Sequence, residues 1–350
     1  IQTYIAVRVG GKNDPAETTG LAHYFEHLMF KGTIQFGTMD YEAEQPYLDE
    51  IERLFEVYRT TTDDAERKAI YKQIDSVSFE ASKLAIPNEY DKLMSAIGAQ
   101  GTNAYTGHDM TVYVENIPSN QVENWARIQS DRFTNATIRG FHTELETVYE
   151  EKNMSLTRDG NKLYYAVMEG LFPNHPYGTQ TVLGPQEHLK NPSIIHRKHY
   201  YKQWYVPNNM AICMAGDFDP DEVMAIIDKY FGQMQPNESL PKLSFTPEAP
   251  IEKPIVKEVL GLEAESVALA WRLPEARSAD NPKSIMIRYI MSKGQSGLID
   301  LNIKQQKKLL SAGASVSNMA DYSRLRMSAR PTEGQTLDDA KDIVLGESAK

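Results

Sequence analysis

The sequence has little of what would build a disulfide framework, a membrane span or a nucleic-acid surface. Its 350 residues include one cysteine, Cys213, which excludes internal disulfides and a cysteine-rich zinc site. No apolar run approaches the roughly 20 residues that cross a bilayer, so we expect no transmembrane segment. The 37 basic residues are outnumbered by 48 acidic ones. A chain with this charge repels the phosphates of nucleic acids, which are therefore excluded as main partners.

The chain also lacks an initiator methionine and a signal sequence, and it opens inside the alternating pattern of a strand. We therefore expect it to be a segment of a longer protein. The sequence does not fix the compartment. A single cysteine is compatible with the bacterial periplasm, because periplasmic proteins can also do without disulfides.

Strand and helix patterns mix along the chain without a strict βαβ rhythm, which predicts an α+β fold. Five prolines fall within residues 236–254 and indicate a linker. This linker separates a first domain, residues 1–235, from a new series of strand and helix patterns over residues 255–350. We therefore expect two domains, the second of them partial.

Residues 41–86 differ in composition from the rest of the first domain. They are rich in charged side chains and contain no glycine. Two helical patterns flank Thr62, and Asp63 is positioned to cap the second helix with Glu66 as its partner. We interpret the segment as a charged antiparallel helical hairpin that forms a solvated, dispensable surface insertion. A partner-binding arm is the alternative.

The strongest chemical pattern is His23-Tyr24-Phe25-Glu26-His27, which lies in a helical stretch. Residues four apart lie one above the other on a helix, so the two imidazoles can bind one Zn²⁺. Glu26 lies on the same side. It can take a proton from a water that the ion activates and give it to a leaving amine. The alternative is that these polar residues share a surface helix by chance.

A hydrolytic zinc site needs a third protein ligand, and the acidic stretch at residues 144–151 offers candidates. Glu144 and Glu151 share one face of a predicted helix, and Glu150 lies on a neighbouring, more exposed face. Glu151 as the ligand, with Glu144 behind it, fits this geometry. Spacing alone does not separate Glu150 from Glu151.

These patterns together resemble the pitrilysin/insulinase family of zinc metallopeptidases, which includes the mitochondrial processing peptidases. The run from Gly20 to Thr33 is similar to the zinc-binding helix of that family, and Gly101 to Tyr113 is similar to its active-site edge strand. The remaining similar motifs are Glu144-x-x-x-Val148-x-x-Glu151, His175-Pro176-Tyr177-Gly178, Tyr205-x-Pro207-x-Asn209 and Gly216-Asp217-Phe218.

The resemblance implies a zinc-dependent endopeptidase that acts on peptides or unfolded polypeptides. It implies His23, His27 and Glu151 as zinc ligands, Glu144 as the residue that supports them, and Glu26 as the general base. It also implies that the substrate backbone pairs with the strand that contains the three residues Asn103, Ala104 and Tyr105.

The fold that the resemblance implies is a half-shell: a mixed, mostly antiparallel sheet with helices packed on one face. Residues 1–235 would form the catalytic domain, and residues 255–350 would form part of a second, similar domain. In the family an Arg and a Tyr from a far half-shell complete the site. The missing half would come from the same protein or from a partner chain.

Two other functions remain open at this point. One is a non-catalytic subunit of such a peptidase, although the intact set of ligands and base favours the enzyme. The other is a metal-dependent lyase with the same helix motif. That family uses a cysteine ligand, and we expect Cys213 to be a buried residue of an apolar strand.

Overall fold

A computed structural model describes residues 1–349. Helices and antiparallel strands mix along the chain, which confirms the predicted α+β class. No helix in this described part is both long enough and apolar enough for a membrane span. The strands are β1 (Gln2–Val7), β2 (Gln100–Thr106), β3 (Thr111–Asn116), β4 (Met210–Ala215), β5 (Val267–Leu273), β6 (Ser311–Asn318) and β7 (Ser323–Arg330). The α-helices are α1 (Leu21–Leu28), α2 (Tyr41–Thr60), α3 (Asp64–Ser82), α4 (Glu89–Ala96), α5 (Val122–Thr134), α6 (Phe141–Thr157), α7 (Asp159–Leu171), α8 (Pro176–Thr179), α9 (Gln186–Lys190), α10 (Ile194–Trp204), α11 (Pro220–Phe231), α12 (Asn281–Met291) and α13 (Leu337–Ser348).

The chain forms two compact units. The first contains Ile1–Asn153 and Gln180–Ser244, and the second contains Met154–Thr179 and Phe245–Lys350. The second unit thus includes a segment that the sequence analysis assigned to the domain at residues 1–235. Residues 154–179 belong to the same unit as residues that begin more than sixty positions later in the sequence. A single boundary at the proline-rich linker cannot describe a unit that is built from two separate segments.

The first unit is built on an antiparallel sheet with the strand order β2-β3-β1-β4. Ile5 at its centre lies opposite Tyr113 on one side and Ile212 on the other. Ile5 and Tyr113 are fully buried and share the core with Phe25 of α1 and Trp125 of α5. The alternation of apolar residues along β1 therefore turns one face of the sheet toward the helices.

The opposite face of this sheet is open to solvent. Tyr4 and Tyr105 are 38% and 52% exposed there. Cys213 is also exposed, so the prediction that it is buried is wrong. Its neighbours Ile212 and Met214 pack on the core instead. Successive side chains of a strand point to opposite faces, and an apolar run does not reveal that only one face is covered.

The segment at residues 41–86 is a helical hairpin of α2 and α3, as predicted. The Asp63 side chain accepts a hydrogen bond from the backbone N–H of Glu66 at 2.9 Å, which confirms the predicted cap. The hairpin is not merely a solvated insertion, however. Phe55 of α2 packs edge-on against Phe141 of α6, with ring centroids 4.8 Å apart. This contact belongs to a core cluster that also contains Tyr24 of α1. The hairpin therefore supports both helices that carry the candidate ligands.

A buried ion pair ties the hairpin to the end of α1. Glu44 of α2 has no exposed surface. Its two oxygens accept hydrogen bonds from Nε and Nη2 of Arg139 at 2.7 and 2.8 Å. The same guanidinium donates to the backbone oxygens of Lys31 and Thr33, just beyond α1. Such a bidentate pair fixes geometry as well as charge.

We expect Glu44→Gln to destabilise the first unit by about 1.5–3 kcal/mol, the usual contribution of a hydrogen bond to a charged group. The amide keeps the shape of the side chain but leaves the buried Arg139 without its counter-charge. Equilibrium unfolding in urea measures the change. Glu42→Gln is the matched control, because Glu42 lies exposed on the same helix. Equal stability of the two variants would contradict the role of the ion pair.

The second unit contains an antiparallel sheet with the order β5-β7-β6. Its core includes Met327 and Ala329 of β7 together with Val344 of α13. The motif that begins at His175 belongs to this unit. His175 is buried, and its ring makes a tilted contact with the ring of Tyr177 and an edge-to-face contact with that of Phe245. His175 is therefore a packed residue of the second unit, and it is not a member of the candidate ligand group.

Candidate metal centre

The candidate centre starts from α1. His23 and His27 lie one turn apart on this helix, with ring centroids 4.7 Å apart and an edge-to-face arrangement. Leu21, Phe25 and Leu28 are buried, so the apolar residues anchor the helix in the core. The amphipathic pattern thereby directs both imidazoles to the same side of the helix, as the spacing predicted.

Glu151 of α6 completes a group of three. Its Oε2 lies 3.5 Å from Nε2 of His23 and 3.4 Å from Nε2 of His27. Among the described residues these three form the one set of histidine, cysteine and acidic groups whose ligand atoms all lie within 4.8 Å of one another. Glu150, the alternative that spacing left open, is not part of this set.

Glu144 lies behind His27. Its Oε1 is 2.7 Å from Nδ1 of His27, and its other oxygen pairs with the ammonium group of Lys31. Burial raises the pKa of Glu144, but the hydrogen bonds from His27 and Lys31 outweigh this effect and hold the pKa below its usual range. An ionised Glu144 accepts the Nδ1 proton of His27, which leaves Nε2, on the side that faces Glu151, as the nitrogen that can bind a metal once it has lost its proton.

The two imidazoles differ in their proton affinity. Burial, with the nearby charge of His27, lowers the pKa of His23 to about 4. Burial also acts to lower the pKa of His27, but hydrogen bonds to Glu144 and Glu151 outweigh it and raise the pKa to about 9. His23 is therefore neutral at pH 7, and the two carboxylates stabilise positive charge at the other imidazole.

Glu26 lies on α1 beside this group, half-buried. Its Oε2 accepts a hydrogen bond from the Thr106 hydroxyl, with 2.5 Å between the two oxygens. Burial raises the pKa of Glu26, and the hydrogen bond from Thr106 only partly offsets the shift. A carboxylate with a raised pKa is a better proton acceptor. The role of Thr106 was missed, since a hydroxyl at the end of a strand carries no distinctive sequence signal.

The strand β2, which ends at Thr106, forms the outer edge of its sheet, where it pairs with β3. Asn103 and Tyr105 are exposed on its outer face, whereas the Ala104 side chain turns into the core. Of the three residues that the resemblance implied for substrate contact, Ala104 can therefore contribute only its backbone. The same strand therefore forms the open edge of the sheet and contacts Glu26 through Thr106 at its end.

Comparisons with known proteins match two parts of this chain to models of one peptidase family. The family model "Insulinase (Peptidase family M16)" matches residues 2–48, and "Peptidase M16 inactive domain" matches residues 197–348. His23, Glu26 and His27 lie in the first matched range, whereas Glu144 and Glu151 lie outside both.

Two curated relatives illustrate the similarity. The probable mitochondrial-processing peptidase subunit beta of Schizosaccharomyces pombe is 24% identical over 236 residues, which cover 67% of this chain and 40% of the relative. The zinc protease PqqE of Helicobacter pylori is 22% identical over 260 residues, which cover 70% and 56%. The chain thus spans about half the length of these relatives.

Solved structures share the fold. A protease from Helicobacter pylori superposes with a TM-score of 0.77 at 18% identity, over 99% of this chain and 72% of the other. The periplasmic protease PqqL from Escherichia coli gives a TM-score of 0.70 at 17% identity, over 99% and 34%. With a peptidase helix motif, a matching fold and relatives named as zinc proteases, the chain belongs to the pitrilysin/insulinase family of peptidases, family M16.

Proposed function

We propose that this chain carries the zinc centre of an endopeptidase that hydrolyses peptides or unfolded polypeptides. The observation that supports this most strongly is the meeting of His23, His27 and Glu151 beside Glu26, a carboxylate outside the donor set. Two imidazoles, one carboxylate and an open fourth position are the usual donor set of hydrolytic zinc sites.

The donor atoms favour zinc over the harder cations. Imidazole nitrogen suits zinc, whereas Mg²⁺ and Ca²⁺ prefer sets of oxygen ligands. Burial keeps His23 neutral at pH 7, the form of imidazole that binds a metal, whereas a bound ion would have to displace the Nε2 proton of His27. When bound, a zinc ion would polarise the scissile carbonyl and lower the pKa of a water molecule to about 7.

The residues around the donors have separate roles in this proposal. Glu26 is the general base: it takes a proton from the attacking water and delivers it to the leaving amine. Thr106 holds the Glu26 carboxylate against the end of β2. Glu144 keeps the Nδ1 proton on His27 and so orients that ring toward Glu151.

We infer that the substrate binds as an added strand on β2. An edge strand presents unpaired backbone groups, which an extended peptide can pair with independently of its sequence. Asn103 and Tyr105 would contact the side chains of the peptide from the open face of the sheet. Such pairing needs an extended chain, which favours peptides and unfolded polypeptides over folded proteins.

The rest of the protein is a separate part of the proposal. Because this chain spans about half of its relatives, we infer that a second half-shell, in the same protein or in a partner chain, closes over the substrate and stabilises the oxyanion. We also propose the bacterial periplasm as the compartment, the location named for the similar protease PqqL.

The alternatives have less support. A non-catalytic subunit has no need of both the donor set and the adjacent base, and this chain retains His23, Glu26, His27 and Glu151. A lyase of the type considered above would need a cysteine ligand. Cys213 is not a member of the cluster.

The test is metal analysis and peptide hydrolysis with the complete gene product. We expect about one equivalent of zinc, loss of hydrolysis of an unfolded substrate on chelation, and recovery when zinc is restored. Zinc binding without hydrolysis would favour the non-catalytic alternative. Hydrolysis that survives in a verified zinc-free sample would contradict the proposed function.

A further inference from the structure

The first turn of α1 is capped by a residue that does not adjoin the helix. Gly20 at the N-cap position has no side chain to offer, and its φ of 91° favours glycine. Asp14, six residues earlier, takes over this function. Its Oδ2 accepts hydrogen bonds from the backbone N–H groups of Gly20 and Leu21 at 2.7 and 3.1 Å, and its Oδ1 accepts from Ala22 at 3.1 Å.

Asp14 is itself held firmly from a second element. Its side chain is buried, and Oδ1 also accepts a hydrogen bond from the hydroxyl of Tyr200, on α10, at 2.9 Å. Burial raises the pKa of Asp14 to about 7, although the hydrogen bonds from Tyr200 and the helix start act to lower it. A buried carboxylate is costly. All four of its hydrogen bonds serve to join α1 to α10.

The other end of α1 has the opposite charge beside it. Arg132 of α5 is fully buried, and its Nε donates a hydrogen bond to the backbone oxygen of Met29, the C-cap residue, at 2.8 Å. Its guanidinium stacks on the rings of Phe30 and Tyr90, 4.5 and 4.3 Å from their centroids. An acid at the N-terminus and a base at the C-terminus both complement the helix dipole.

We propose that Asp14 and Arg132 are positioning residues that fix α1 along its axis. This inference rests on the proposed function. His23 and His27 must meet Glu151 of another helix, and Glu26 must meet Thr106 of a strand, so α1 has to be held in register with both. An axial slip of about 1 Å is enough to cost up to about 10²-fold in rate. The α1 helix has only eight residues, too few to hold its position by its own hydrogen bonds.

The test is Asp14→Asn in the complete gene product. The amide keeps the shape of the side chain, but its nitrogen cannot accept a backbone N–H, so at least one cap bond is lost. We expect zinc affinity to fall by about 10–100-fold, as for other supporting partners of metal ligands. We also expect the loss to appear mainly in kcat, with a smaller change in KM, and we expect the visible absorption of the Co²⁺-substituted protein to change.

Val223→Ala is the control for simple loss of stability. Val223 is buried in the core of the same unit, on α11, which carries none of the candidate ligands. This variant should unfold more easily while zinc affinity and the Co²⁺ spectrum stay unchanged. If Asp14→Asn matches it in both readouts, the inference is overturned. If the wild-type protein binds no zinc, the proposed function fails instead.

Arg132→Lys tests the other end of the helix and applies even if Asp14→Asn does not fold. Lysine keeps the charge but loses the planar group that reaches Met29 while stacked between rings. We expect a smaller loss of zinc affinity than with Asp14→Asn, again with a changed Co²⁺ spectrum. A spectrum identical to that of the wild type would contradict the role of Arg132.

Discussion

Replacing Glu26 by Gln lowers kcat for peptide hydrolysis by about 10²–10⁴-fold, the range that general acid–base catalysis contributes. Gln has nearly the same shape and can still accept the hydrogen bond from the Thr106 hydroxyl. It cannot accept a proton from water at neutral pH. Because Glu26 is outside the donor set formed with Glu151, zinc content should remain at the wild-type level. Steady-state kinetics with a fluorogenic peptide and metal analysis of the same sample measure both quantities.

Glu150→Gln is the control for this experiment, because it makes the same chemical change at an exposed acid near the centre. Its kcat should stay close to that of the wild type. If Glu26→Gln retained wild-type kcat, another group would be the base. If it lost both zinc and activity, Glu26 would act on the metal site itself, against the role proposed here.

The parts of the centre that the sequence could predict are those encoded within one helix. His23, Glu26 and His27 lie within five residues, and helix geometry alone brings them to one side. The choice of Glu151 over Glu150 could not be made from helix periodicity, because spacing alone is compatible with either ligand. The family resemblance favoured Glu151, and the packing of α6 against α1 brings that carboxylate to both imidazoles.

The tertiary partners of α1 could not be predicted in this way. Asp14 reads as part of a loop, and nothing local indicates that its carboxylate folds back onto the helix start. The pair of Glu44 and Arg139 joins residues almost a hundred positions apart. Long-range pairing depends on how elements dock, and periodicity describes only each element by itself.

The hairpin of α2 and α3 is a second case in which the sequence predicted the elements but not what they pack against. Its helical patterns and the capping pattern at Asp63 correctly predicted two helices and the cap, but its charged composition suggested a solvated insertion. Only a narrow apolar stripe of α2 and α3 is buried, including Phe55 and Ile74. A stripe of that width is typical both of surface helices and of helices that cover a core. Here the stripe covers a core, because residues of α1 and α6 pack against it, among them Tyr24 and Phe141.

The second large effect concerns the metal itself. Glu151→Ala removes one of three proposed protein ligands, and we expect zinc affinity to fall by more than about 100-fold. Glu144→Gln should cost less, about 10–100-fold, which is the usual effect of losing a partner that orients a ligand. The amide can still accept the Nδ1 proton of His27, but it lacks the negative charge that makes the imidazole a stronger donor. Competition with a chelating dye of known affinity measures both variants.

The order of these effects carries more information than either value alone, because the two acids contact His27 from opposite sides. Glu144 reaches Nδ1 of the ring, whereas Glu151 lies 3.4 Å from Nε2. If the ion binds Nε2, as proposed, only an acid on that side of the ring can share it with His27. Glu150→Ala makes the same change as Glu151→Ala one residue earlier, and it should leave affinity unchanged. An affinity loss that is larger for Glu150→Ala than for Glu151→Ala would transfer the ligand role to Glu150. A larger loss for Glu144→Gln than for Glu151→Ala would mean that the ion lies on the Nδ1 side of His27.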